Sequence, residues 1–130
     1  MAVGIASGQA DALLDAYCRS VAYTDPVSFN VKLHTGDPGA AGTTAAAGET
    51  TRKAVTFSAA SGGAITNSAA LTWTSVSTTE TISHVSFWSD ITAGTFLGSD
   101  ALNVARSLTA GDTFEIAIGD LDITLGAVAA

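Results

Sequence analysis

Two histidines are the residues of this chain best suited to acid–base chemistry or metal binding. His34 and His84 each lie in a stretch of alternating apolar and polar residues. A zinc site needs three or four ligands at matching geometry, and no further ligands are spaced to complete one. We therefore predict structural roles: His34 on the solvent-facing side of its strand, and His84 in a hydrogen bond between strands.

Aspartates are the other candidates for chemistry, because a pair of carboxylates could act in hydrolysis or bind calcium. Five of them stand where turns are expected, and aspartate at a turn ordinarily bonds nearby backbone N–H groups: Asp37, Asp90, Asp100, Asp112 and Asp120. A calcium loop would place several oxygens within a few residues, and only Gly119-Asp-Leu-Asp weakly approaches that pattern. We predict no catalytic residue, no metal ion and no cofactor.

Cysteine and tryptophan offer two further possibilities. Cys18, the only cysteine, falls on the apolar face of a predicted helix, where a free cysteine commonly serves as a small hydrophobe. Trp73 alternates with core positions and is predicted to be buried. Trp88 is the better candidate for an exposed ring that stacks on a sugar or touches a partner.

Composition restricts the partners. Five Lys and Arg against twelve Asp and Glu give a net charge of −7 over 130 residues, and only 13% of the residues are charged. Nucleic-acid binding needs clustered positive charge, and an anionic membrane would repel this chain, so we expect neither partner. The low charge leaves a surface of Ser, Thr, Gly and Ala, which suits a protein that packs against neighbours.

Residues 7–22 are predicted to form the one helix. Ser7 is a plausible N-cap, and Asp15 and Arg19 lie four residues apart, where they can pair. Apolar residues follow the spacing of one helical face, at Ala10, Leu13, Leu14, Tyr17, Cys18 and Val21.

The remainder predicts short strands. Residues 27–35 alternate, with one face apolar (Val27, Phe29, Val31, Leu33) and one face polar (Ser28, Asn30, Lys32, His34). Val85 and Phe87 face one way from the stretch 82–88, and Ile82, His84 and Trp88 the other. Apolar residues on both faces indicate a central strand, or an outer face covered by the helix or a neighbour.

The segment 39–51 has no large apolar residue, and we predict a long surface loop that does not reach the core. About eight strands with frequent turn signals indicate a mainly β fold, an antiparallel β-sandwich or jelly-roll-like barrel with one N-terminal amphipathic helix. We expect a single domain over 1–130, divided into an arm and helix (1–22), a sandwich (27–125) and a tail (126–130).

Four phrases follow one another in a familiar order: Leu33-His-Thr-Gly-Asp-Pro-Gly, Arg52-Lys-Ala-Val-Thr-Phe-Ser-Ala-Ala-Ser-Gly-Gly, Ile82-Ser-His-Val-Ser-Phe-Trp, and Ala110-Gly-Asp-Thr-Phe-Glu-Ile-Ala-Ile-Gly-Asp-Leu-Asp-Ile-Thr-Leu. In their order and spacing the chain resembles a family of small structural proteins of tailed bacteriophages, labelled tail fibre or head decoration proteins. The similarity runs from about Ala22 to Leu125 and includes a short helix before it. The chain departs from the family at 89–94, where members often carry a Gly-rich turn.

The resemblance implies a virion component without enzymatic activity, made in the host cytoplasm. The favoured role is a capsid decoration protein on the outer shell, bound to the major capsid protein and to itself as a homo-oligomer such as a trimer, because negative charge suits the outside of the shell. The alternative is a minor tail or tail-fibre protein whose sandwich binds a carbohydrate or the host. A small hydrolase would need an acid–base pair that the sequence does not offer.

The helix and the loop 36–51 are the segments that we expect to carry assembly contacts, since recognition residues often lie on loops of a rigid scaffold. The candidate contact residues are Leu13, Tyr17, Asp37, Thr43, Glu49 and Trp88.

Overall fold

The computed structural model describes residues 3–26 and 28–125, so Val27 and the predicted tail 126–130 lie outside the described residues. One helix, α1 (Ser7–Arg19), follows the first strand of these described residues, and the other strands follow the helix. The strands in this part of the chain are β1 (Gly4–Ile5), β2 (Asn30–His34), β3 (Lys53–Ala54), β4 (Ala64–Thr66), β5 (Leu71–Trp73), β6 (Glu80–Trp88), β7 (Phe96–Leu108), β8 (Phe114–Ile116) and β9 (Asp122–Thr124).

These strands form one large sheet and two short pairs, all antiparallel. The large sheet has the order β1-β7-β6-β2-β3, and the pairs are β4-β9 and β5-β8. The predicted mainly β class with one N-terminal helix is confirmed, and the arrangement is sandwich-like, with nine described strands instead of about eight.

The core lies between the large sheet and the two pairs. Side chains from both layers belong to one buried cluster, with Val31, Leu33, Val85 and Phe87 from the sheet and Leu71, Trp73, Phe114 and Ile116 from the pair β5-β8. The predicted burial of Trp73 is confirmed, and its indole Nε1–H donates to the carbonyl of Thr51 at 2.7 Å. The inner faces of the sheet and the pairs therefore bury the large apolar residues of the strands.

Strand β6 is the central strand, as its apolar residues on both faces predicted. It lies between β7 and β2 in the sheet. The prediction that Ile82 faces away from Val85 and Phe87 is wrong, because all three belong to the core. A register shift between Ile82 and His84 explains the difference, since such an irregularity breaks the alternation of side chains along a strand.

The segment after β2 covers the outer face of the sheet, and the prediction that it cannot reach the core is wrong. Ala47 is 3% exposed and belongs to the core, and Ala46 forms a β-bridge with His34. Gly42 shows how closely the segment approaches, because a Cβ there would collide with the ring of Phe96. Small residues allow the backbone itself to act as the covering layer. We call residues 36–52 the outer loop.

A buried hydrogen-bonded chain holds the outer loop to the sheet. His34 is fully buried, so its predicted place on a solvent-facing side is wrong. Its Nδ1 lies 2.9 Å from the Thr44 carbonyl, which can only accept, so Nδ1 carries the proton. Nε2 then accepts from the Ser86 hydroxyl at 2.7 Å, and Ser86 in turn accepts from Trp88 Nε1 at 2.8 Å. The side-chain nitrogen and oxygen atoms of His34, Ser86 and Trp88 therefore all have hydrogen-bond partners.

The other histidine does not bond between strands as predicted. His84 Nδ1 lies 2.8 Å from the hydroxyl of Ser83, its neighbour on the same strand. His84 stands directly opposite His34 in the register of β6 and β2, but the histidine with a side-chain hydrogen bond between these two strands is His34, which accepts from Ser86.

The helix is shorter than predicted. It ends at Arg19 because Ser20 adopts a left-handed conformation with φ 57°, from which its N–H bonds to the Asp15 carbonyl. Ser7 is the first helical residue; the N-cap position is taken by Ala6, which provides no side-chain hydrogen bond. The predicted pair of Asp15 and Arg19 is confirmed at 3.0 Å.

Ser86→Ala tests the buried chain. It removes the donor to His34 and the acceptor of the Trp88 indole, leaving two buried polar atoms unpaired. We expect the free energy of unfolding to fall by about 2–3 kcal/mol in urea denaturation. The matched control is Ser107→Ala, whose hydroxyl faces Thr81 on the exposed part of the same sheet, and which should change stability by less than about 0.5 kcal/mol. Equal effects of the two substitutions would contradict the role of Ser86.

Acid should weaken the same site through His34. Burial, with the positive charges of Lys32 and His84, lowers the pKa of His34 below its ordinary 6.5, although the Thr44 carbonyl acts to raise it. The unfolded chain therefore takes up the proton first, and the neutral form that the fold requires loses stability as the pH falls below 6.5.

We expect the stability advantage of the native chain over His34→Gln to shrink by about 1 kcal/mol between about pH 7.5 and pH 5.5. Comparing the two proteins at each pH cancels the titration of groups that do not contact His34. An advantage that does not change with pH would contradict the lowered pKa of His34.

Candidate assembly surface

Part of the apolar face of α1 is directed away from the rest of the protein. Leu14 is 60% exposed, Tyr17 90% and Val21, just after the helix, 46%, and no side chain of α1 is buried. An amphipathic helix of a globular protein ordinarily buries this stripe against a core. Contiguous exposed apolar surface instead marks a site of interaction. We call Leu14, Tyr17 and Val21 the helix face.

A cavity of about 310 Å³ lies beside the helix, between the N-terminal arm and strands β7 and β9. Its lining is mostly apolar and draws on both ends of the chain: Val3, Leu13, Phe29, Phe87, Leu97 and Leu125. Val3 is 36% exposed and Leu125 58%, so apolar surface continues outward from the cavity mouth. Leu13, predicted as an assembly contact, is a wall of this cavity.

The arm is fixed in place by close backbone contact. Gly4 and Ile5 pair with Ser99 and Gly98 of β7, and a side chain at Gly98 would collide with the Gly4 carbonyl. The Tyr23 hydroxyl, after the helix, donates to Gln9 Oε1 at 2.8 Å. These contacts position the helix beside the cavity without burying its apolar face.

Two carboxylates, Asp100 and Asp122, stand at the rim of the cavity. Asp100 was predicted in a turn, but it lies within β7. Burial, and secondly the charge of Asp122, raise the pKa of Asp100 to about 6, while the Ala101 N–H bonded to it at 2.9 Å and the nearby His84 act to lower it. Asp122 itself is exposed.

This rim is the nearest approach to a reactive arrangement that the described residues contain. Among them no three His, Cys, Asp or Glu side chains lie close enough together to hold a metal ion. A half-buried carboxylate beside a second one, above an apolar floor, is suited to receiving a positively charged group.

Within residues 3–26 and 28–125, the helix is too short and too polar to cross a membrane.

The six predicted contact residues do not form one site. Leu13 and Tyr17 belong to the helix region, whereas Asp37, Thr43 and Glu49 belong to the outer loop. Asp37 accepts the Gly39 N–H at 2.8 Å, as expected for a turn aspartate. Glu49 is only 9% exposed and accepts the N–H groups of Ser77 and Thr51 at 3.0 and 3.3 Å, which ties the loop to the body. Thr43 is exposed.

Trp88 is not the exposed ring that the sequence predicted. It is 9% exposed, with the Arg52 guanidinium 4.5 Å above its ring and the Phe96 ring 5.5 Å away. Arg52 is held by the carbonyls of Asp90 and Ala93 at 2.9 and 2.6 Å. The outer loop covers this face of the sheet, so the indole is enclosed by the protein itself.

Sequence reasoning missed the carboxylate pair and the outward position of Leu125. Leu125 continues the alternation of Leu121 and Ile123, a spacing typical of side chains on one face of a strand, but only Leu121 of the three is fully buried. The carboxylates come from strands far apart in the chain, and no local spacing could have revealed them. The signal that was available is the helical periodicity at Leu13 and Tyr17.

Comparison with known proteins identifies one family. The model described as "Podophage GP4 fiber I protein gp80" matches residues 4–124. The matched range runs from β1 to β9 and contains α1, both carboxylates and all the cavity walls except Val3 and Leu125. No curated protein matches the chain.

Asp100→Asn tests the electrostatics of the rim. The pKa of the folded carboxyl, about 6, lies above its ordinary 3.8. The fold therefore favours protonated Asp100, and the protein loses stability as this carboxyl ionises between these two pH values. We expect the variant to be about 1–2 kcal/mol more stable than the native chain at about pH 8, with allowance for partial exposure. Below about pH 3.5 the advantage should vanish. Asp25→Asn, at an exposed position outside the cavity lining, is the control that should show no such gain, and no gain for Asp100→Asn at about pH 8 would contradict the burial of Asp100.

Proposed function

We propose that this chain, which belongs to the podophage GP4 fiber I protein gp80 family, is a structural component of a phage tail fibre. The match confirms the resemblance to small virion proteins of tailed phages and supports a virion location. Of the two roles that the sequence left open, the family favours the tail-fibre alternative over capsid decoration.

The observation that supports an assembly role is the helix face. A 13-residue helix is only marginally stable in water unless its apolar face is packed; here Leu13 lines the cavity, but Leu14 and Tyr17 contribute nothing to the core. A neighbouring fibre subunit that buries these side chains would supply the missing packing. In this proposal the helix completes its hydrophobic contacts only when the fibre assembles.

The composition is consistent with this role. A chain with 13% charged residues and a hydrophobic helix face has little to keep it apart from neutral protein surfaces. A sugar-binding platform on Trp88 is not favoured, since that ring lies under Arg52. The proposal therefore rests on the helix face and not on an exposed tryptophan.

Replacing the helix face tests attachment. Phage carrying Leu14→Gln with Tyr17→Gln should incorporate the protein at roughly one-tenth of the native level or less, because both side chains would lose their burial in the interface. Copies per virion can be counted by quantitative mass spectrometry of purified particles. Ile118→Gln is the matched control, since Ile118 is 67% exposed and lies outside the helix, and it should incorporate normally. Normal incorporation of the double variant would contradict the proposed attachment.

The location in the virion is tested separately. We expect gold-labelled antibodies against the chain to mark the tail in electron micrographs of purified phage. Label spread over the head would contradict the fibre role and favour capsid decoration instead.

A further inference from the structure

Strand β7 carries two features that complement each other. At its start, Asp100 stands on the rim of the cavity together with Asp122 of β9. Towards its end, β7 projects an apolar residue and a cation, Val104 and Arg106, into solvent. One feature is an apolar hollow with negative charge at its edge, and the other an apolar side chain with positive charge beside it.

The projection arises from the irregular pairing of β7 with β6. Ala101 pairs with His84 and Arg106 with Ile82, so four residues of β7 stand opposite a single residue of β6. Within this bulge Leu102 still packs against the core, whereas residues 103–105 are exposed, and Val104 is 70% exposed. Val104 and Arg106 are two residues apart, so their Cα atoms lie at most about 7 Å from each other, and both residues line one hollow. We call residues 102–106 the bulge segment.

Arg106 is the cation best placed to meet another molecule. It shares a shallow hollow with Glu115 and Asp120 but forms no ion pair with any described residue. The remaining cations are engaged or partly enclosed: Arg19 pairs with Asp15, Arg52 lies on Trp88, and Lys32 and Lys53 are half-buried.

The rim of the cavity carries two carboxylates without a positively charged partner among the described residues, and Arg106 is a cation. No lysine or arginine of the described residues pairs with Asp100 or Asp122. The raised pKa of Asp100, about 6, follows from burial and from the neighbouring carboxylate, and a cation brought to the rim would lower it again.

We propose that the bulge segment of one copy docks at the cavity of a second copy, with Val104 against the apolar lining and Arg106 at Asp100 and Asp122. Charge complementarity selects this occupant, because a chain of net charge −7 can approach itself only where opposite charges meet. The inference rests on the proposed function, since it supplies a contact between successive copies in a fibre. In a head-to-tail arrangement the cavity of each copy receives the bulge segment of the next, and the contact continues into a ring or filament.

Sedimentation velocity of the purified full chain tests the proposal. The native chain should form a series of oligomers that grows with concentration. Arg106→Glu and Asp122→Lys alter exposed side chains, and each should weaken association by about tenfold or more. Asp25→Lys, which makes the same charge change as Asp122→Lys at another exposed position, should leave association unchanged.

Mixing the two defective variants gives the sharper result. The Asp122→Lys chain keeps an intact bulge segment, and the Arg106→Glu chain keeps an intact rim, so an equimolar mixture should regain an oligomer series in which unaltered contacts alternate with contacts between the two reversed charges. Combining both reversals in one chain should restore the oligomer series.

Three results would overturn the inference: a native chain that stays monomeric at all concentrations, oligomers that are indifferent to Arg106→Glu, or oligomers that are lost only with Leu14→Gln and Tyr17→Gln. None of these bears on the fibre location, which antibody labelling decides.

Discussion

Both faces of the central sheet are covered by the chain's own β region and outer loop, and the rest of the molecule depends on this constraint. The inner face packs against the short strand pairs, and the outer face is closed by the outer loop through His34, Ser86 and Trp88. Leu14, Tyr17 and Val21 have no place in this packing and stay exposed. An apolar helix stripe that is surplus to the fold is available to a neighbouring subunit.

The outer loop is unusual in the kind of interactions that attach it to the sheet. Large apolar residues are absent from the segment 39–51, and buried polar groups and close backbone contact take their place. Among the described residues no buried side-chain nitrogen or oxygen lacks a hydrogen-bond partner. Fully satisfied polar networks rigidify a structure, whereas partly satisfied ones are costly. A layer of Gly, Ala and Thr can therefore be well ordered, which also explains how a folded chain has so few charges.

Sequence patterns predicted the features that depend on local periodicity. The helix, the Asp15–Arg19 pair and the central position of β6 follow from spacing alone. Patterns failed where a covering layer is built from backbone, because Gly42 and Ala47 carry no hydrophobic signal, and the environments of His34 and Trp88 were inverted as a result. Of the candidate surface, Leu13 and Tyr17 could be predicted from helical spacing. Asp100 and Asp122 meet only through the fold.

The central claim is that α1 gains its packing from a neighbour, and hydrogen exchange measures this directly. The account predicts that amides of α1 (Ser7–Arg19) exchange rapidly in the isolated chain and slowly in intact virions. Amides of β6 (Glu80–Trp88) should be protected in both. Helix amides that are as protected as those of β6 in the isolated chain would contradict the account, because the helix would then be stabilised by its own fold.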